Sequence, residues 1–437
     1  MNKLSSPEIR ALSARTLAAF VEGHSLTVTE IAEAYLERIA AHEADVQAWK
    51  YIDAEQILAQ AGDIDKAGPK GALSGVAIGV KDVIDTADMP TGYGSSAYEG
   101  FQPACDAPCV ALSRAEGALV LGKTVSTEFA MASSGKTRNP YNPAHTPGGS
   151  SSGSCAAVAA GMALMAFGTQ TAGSIIRPAS YCGVVGYKPS FGLIDAAEVK
   201  VLSHQLDTLG LITRRVDDAA WCAAALSGRS RLVVNDIPDQ PVIGLFAPSR
   251  IDQAGPEAMV ALEQAATRIS AAGGVMKTIA LPDWFDSLHD LHSAIMGWEV
   301  THALAHERLK LWDRLTPVTR DFLTEKAKVS VEDYEAACTA IIERRAQLSA
   351  LMDGLDAIMT LPAPGEAPEG LSSTGAPVFN SPWTVLHGPC VTLPVMLSAK
   401  GLPVGAQLVG RIGDDARLLH VAAFAEKAVG FTGGPFA

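Results

Sequence analysis

The densest run of candidate nucleophiles is PGGSSSGS, residues 147–154, where serines are set among glycines. A serine hydroxyl attacks poorly until a neighbouring group takes its proton, usually His and sometimes Lys. Ser151 stands at the centre of GSSSG, a match to G-x-S-x-G, the elbow on which α/β-hydrolases hold a nucleophile between strand and helix. The segment before it, RNPYNPAHTPGG, reads as Pro-rich loop and not strand, and no HGGG-type run precedes it. A second Gly/Ser element, GTQTAGSIIRPASYCGVVGYKPS, covers 168–190 and places Ser174 after Thr171, Ala172 and Gly173. Small residues there let main-chain N–H groups approach a ligand closely, as an oxyanion hole requires. Upstream, Lys81 interrupts the apolar run VAIGVKDVID. Burial disfavours the charged form of lysine. Lys81 is therefore either a strand-end residue reaching water or an amine held neutral to serve as a base. On spacing alone, Ser151 and Ser174 compete as nucleophile and Lys81 keeps both readings.

Other chemistry-bearing residues are less pointed. His302 and His306 lie four apart in a segment that reads as helical, but the order is HxxxHE and not HExxH, which favours a solvated face over a metal site. Cys105 and Cys109 have no second pair to complete a zinc site, so they read as ordinary thiols, and no metal is expected. His387 and His420 are distant partners that an esterase built on Ser151 would need.

The elements that must position these residues can be read in outline. Thr27 and Glu30 have capping-box spacing, followed by Ile31, Tyr35, Leu36 and Ile39 on one face, and Pro7 marks an earlier helix start, so 1–70 reads as helical. LSGVAIGVKDVIDT (73–86) reads as a buried strand, and 108–125 as a helix and then a strand. Residues 71–200 form the expected catalytic core, 256–350 a polar helical region, and 355–437 a return to strands with a final helix. CAAVAAGMALMAF (155–167) reads as a buried helix, too short to span a bilayer.

The chain has 437 residues, 48% hydrophobic and 19% charged, ample for a large core. A net charge of −13 argues against a nucleic-acid partner. MNKLSSPEIRALSART lacks an apolar signal-peptide core, so none is expected. Seven cysteines, an odd number, suit a reducing cytoplasm better than a disulfide framework.

Taken together, GVKDVIDT with Lys81, PGGSSSGS with Ser150, and GTQTAGSIIRPAS with Ser174 closely resemble the amidase signature family. GVVGYKPSFG and GLPVGAQLVGR extend the resemblance over nearly the whole chain, and the first three stretches look most like the malonamidase-type branch. The resemblance implies one α/β/α domain around a large mixed sheet and a cofactor-free hydrolase of a small-molecule amide. It also implies a Ser–cis-Ser–Lys group: Ser174 as nucleophile, Ser150 as relay behind a cis peptide bond, and Lys81 as base. The N–H groups of Thr171, Ala172, Gly173 and Ser174 would form the oxyanion hole, with Ser151, Ser152 and Ser154 as supports. Three departures from the common pattern stand out: Gln170 where Asp is usual, Ala172 for a frequent Gly, and Arg177 one place late in SIIRP. In the malonamidase-type branch that arginine binds a substrate carboxylate, and a structural arginine is the other reading. The expected substrate is thus a small-molecule amide, one that bears a carboxylate (malonamate-like) if Arg177 takes the first of these readings. The alternatives are a glutaminase-type subunit of an amidotransferase and a serine esterase on Ser151. The resemblance also favours a homodimer.

Overall fold

The short apolar runs punctuated by Gly and Pro become the centre of a sheet in the computed structural model, which describes residues 4–246 and 248–435. The strands are β1 (Trp49–Ile52), β2 (Ala77–Lys81), β3 (Leu119–Thr124), β4 (Met165–Gln170), β5 (Val185–Lys188) and β6 (Thr208–Thr213). They continue as β7 (Val242–Phe246), β8 (Val275–Ile279), β9 (Ala357–Thr360), β10 (Cys390–Leu397) and β11 (Pro403–Val409). Among the described residues these eleven form one mixed sheet in the order β1-β3-β2-β4-β6-β5-β10-β11-β9-β7-β8. The segments expected from the sequence therefore interleave: β1, from the N-terminal segment, pairs with β3, and β10, from the C-terminal one, pairs with β5.

β2 runs parallel to both β3 and β4. Parallel strands are covered on both faces, and every residue of β2, β3 and β4 is buried. The helix Val28–Val46 opens as its sequence anticipates. Thr27 Oγ1 accepts from the Glu30 N–H, and the Glu30 carboxylate accepts from the Thr27 N–H, both at 3.1 Å. Among the described residues no helix is long and apolar enough to cross a membrane.

Two expectations need correction. The run 155–167 is not one helix: Ser152–Ala159 is helical, Gly161 turns the chain at φ +70°, and Met165–Phe167 open β4. A short apolar run cannot separate strand from buried helix by period, and here the gap between β2 and β6 decides. The mostly helical region 256–350 also holds β8, which forms a largely exposed sheet edge. His302 and His306 do not share one helix, because Leu304 separates Leu288–Ala303 from Ala305–Lys310. His302 Nδ1 instead lies 2.8 Å from the Trp298 carbonyl.

Candidate active site

Neighbouring parallel strands end side by side, and ligands of α/β sheets gather at their carboxyl ends. Lys81 is the last residue of β2, and the turn 171–174 begins where β4 stops at Gln170. This arrangement brings both to one edge of the sheet. Lys81 is wholly buried, so it does not reach water. Its Nζ donates to Ser150 Oγ at 2.8 Å and to Thr169 Oγ1 at 2.7 Å. Burial pushes the Lys81 amine down to about 7, because a desolvated ammonium loses its hydration.

Ser150 follows a cis peptide bond from Gly149. The other serines of the run hold the loop. Ser152 Oγ donates to the Gly148 carbonyl at 2.7 Å, and Ser154 Oγ to the Phe167 carbonyl at 2.8 Å. Ser151 Oγ lies 3.4 Å from both the N–H and the carbonyl of Thr169. Ser174 is 8% exposed, against 1% for Ser150 and 0% for Ser151. The esterase partners are not assembled: His387 Nε2 meets the Gln205 carbonyl, and His420 Nε2 the Val233 carbonyl.

The turn after β4 is braced from behind. Gln170 Oε1 accepts from the N–H groups of Ile175 (2.9 Å) and Ile176 (3.1 Å), and its Nε2 donates to Thr384 Oγ1 at 2.9 Å. A neutral amide thus does the supporting work expected of an aspartate, since it accepts and donates at once. Thr384 Oγ1 donates onward to the Ala172 carbonyl at 2.7 Å, and His292 Nε2 to the Thr171 carbonyl at 2.8 Å. Burial pushes His292 down to about 4, so it is neutral at pH 7. The Gly173 carbonyl accepts from the Arg177 N–H, and the Ser174 carbonyl from the Ser151 N–H. Among the described residues, the N–H groups of Thr171, Ala172, Gly173 and Ser174 donate to no protein acceptor. Ala172 tolerates its Cβ because its φ lies outside the left-handed region. Gly173 could not: a Cβ there would lie 2.5 Å from Asn380 Oδ1 and 3.0 Å from Arg177 Nη1.

Arg177 is buried, with Nε donating to the Thr374 carbonyl at 2.8 Å and Nη2 to the Gly149 carbonyl at 2.6 Å. Those bonds favour the structural reading of this residue, although Nη1 has no partner. The Thr171 hydroxyl donates to Asp207 Oδ1 at 2.5 Å, and Asp207 lines a cavity of about 310 Å³ with Phe191, Ile194, Val199 and Leu209. His292, Thr384 and Asp207 carried no local sequence signal. Their segments mattered only through contacts made across the fold.

The Amidase family model matches residues 30–419, nearly the whole chain. The chain belongs to the amidase family. The crystal structure of an amidase superposes on it with a TM-score of 0.86 at 27% identity, covering 95% of this chain and 99% of that one. A glutamyl-tRNA(Gln) amidotransferase subunit from Solidesulfovibrio magneticus is 41% identical over 53% of this amidase and 50% of that protein. In that match the chain spans about half the length of its relative. The corresponding subunit from Lysinibacillus sphaericus is 28% identical over 96% of each chain. These relatives overturn the expected malonamidase-type branch, because the similarity runs to glutamyl-tRNA(Gln) amidotransferase subunits instead.

Proposed function

We propose that this amidase cleaves its amide through an acyl-enzyme on Ser174, with Ser150 as proton relay and Lys81 as base. The carrying observation is the buried Lys81 Nζ, 2.8 Å from Ser150 Oγ and with its pKa pushed down to about 7. A neutral amine has a lone pair to receive the Ser150 proton as Ser150 takes that of Ser174. The Ser174 oxygen then bonds the amide carbon. The resulting oxyanion is met by the unpaired N–H groups of the 171–174 turn, each worth about 3–4 kcal/mol in comparable sites. Collapse breaks the C–N bond, and the proton returns through Ser150 to the leaving ammonia or amine. Water hydrolyses the acyl-enzyme by the same relay. No cofactor takes part in this scheme, and the seven free cysteines suit a cytoplasmic setting.

Labelling with a fluorophosphonate and peptide mapping tests the assignment. The adduct is expected on Ser174. An adduct on Ser151 would replace this reading with the esterase one.

A second reading, a glutaminase-type amidotransferase subunit, is favoured by the full-length similarity to the amidotransferase protein of Lysinibacillus sphaericus. It predicts stoichiometric companion subunits on gentle purification from the native source, with ammonia released from glutamine. A lone chain, or a homodimer, that hydrolyses simple amides would exclude it. A malonamate-like substrate is the weaker choice, since Arg177 is engaged by Thr374 and Gly149.

A further inference from the structure

We propose that His292 is a positioning residue that aims the Ala172 N–H into the oxyanion hole. This deepens the proposed function and rests on Ser174 as nucleophile with the 171–174 turn as its hole. In a trans peptide the carbonyl and the following N–H point in opposite directions. Among the described residues the cis peptide bond is Gly149–Ser150, so the turn after β4 is trans throughout. Whatever holds a carbonyl on the far side therefore directs the next N–H toward the site. The Thr171 carbonyl is held by His292 Nε2 at 2.8 Å, which directs the Ala172 N–H. The Ala172 carbonyl is held by Thr384 Oγ1, which directs the Gly173 N–H, and the Gly173 carbonyl by the Arg177 N–H, which directs that of Ser174.

His292 reaches the turn from 121 positions away in the sequence, on the helix Leu288–Ala303. A carbonyl only accepts, so Nε2 carries the proton in a neutral ring. The Thr171 hydroxyl is tied separately to Asp207, so the residue is gripped by side chain and main chain at once. The same helix carries Glu299, whose carboxylate accepts from Ser203 Oγ and from the Gln205 N–H, four and two positions before Asp207. The helix thus fixes the turn directly through His292, and it also holds the segment that delivers Asp207 to Thr171.

The test follows the time course of fluorophosphonate labelling by intact mass, which separates kinact from KI, for wild type, His292→Leu, His292→Gln and Ser174→Ala. Leucine fills the space without a donor, and glutamine keeps an N–H. His292→Leu is expected to lower kinact about 10- to 100-fold with KI changed less than about threefold, and His292→Gln to recover most of the loss. Wild-type kinact in the leucine variant, or equal slowing in both variants, would overturn the proposal. If the leucine variant does not fold, His292→Met takes its place in the same comparison. Continued labelling of Ser174→Ala at the wild-type rate would overturn the nucleophile assignment itself, a result distinct from failure at His292.

Discussion

Ser174→Ala is expected to lower kcat by about ten-thousandfold or more, with binding of the amide little changed. The size follows from what remains. No other hydroxyl can take over: Ser150 Oγ is bound to Lys81 and almost fully buried, and Ser151 is wholly buried against Thr169. The oxyanion hole would survive and leave a residual rate. Loss of the acyl-enzyme removes the two-step path that divides one hard displacement into two easier ones. The measurement is ammonia release from a panel of small primary amides, together with mass detection of the acyl-enzyme in wild type. Activity within tenfold of wild type would reject Ser174 as nucleophile.

Lys81→Met is expected to cost about a thousandfold or more in kcat/KM, because the relay loses its proton acceptor. Wild type carries a matching pH signature. In the proposed mechanism Lys81 works as the neutral amine, and burial pushes its pKa in the fold down to about 7. Activity should therefore rise with pH up to about 7 and level off above it. A profile flat from pH 5 to 9 would refute this role. The stability consequence has a definite sign. The unfolded lysine titrates near its ordinary value of 10.5, well above the folded one. Between those two values the unfolded chain binds more protons, so this group's contribution to stability increases with pH there. Below about 7 the native state must hold a desolvated ammonium. Lys81→Met should accordingly compare better with wild type in thermal unfolding at pH 6 than at pH 9. Equal differences at both would mean that native Lys81 keeps its proton across that range.

The residue types and spacing determined much of this protein. Lys81 in an apolar run, the Gly/Ser elements and the Thr27–Glu30 cap are local patterns; in the fold Lys81 Nζ meets Ser150 Oγ and Thr27 caps its helix. Short strands bounded by Pro and Gly, such as β10 and β11, were legible for the same reason. β6, β7 and the strand half of 155–167 were not, because a short apolar run takes its form from its neighbours in the sheet. Spacing alone does not separate adjacent serines. Ser150 and Ser151 differ by one position, yet one hydroxyl meets Lys81 and the other meets β4. The tertiary structure also decided that a neutral Gln170 braces the turn after β4, and that His292 and Thr384 hold its carbonyls. Those last two hydrogen bonds join residues more than a hundred positions apart. Their partners are chosen by strand order and helix packing, which no local pattern encodes.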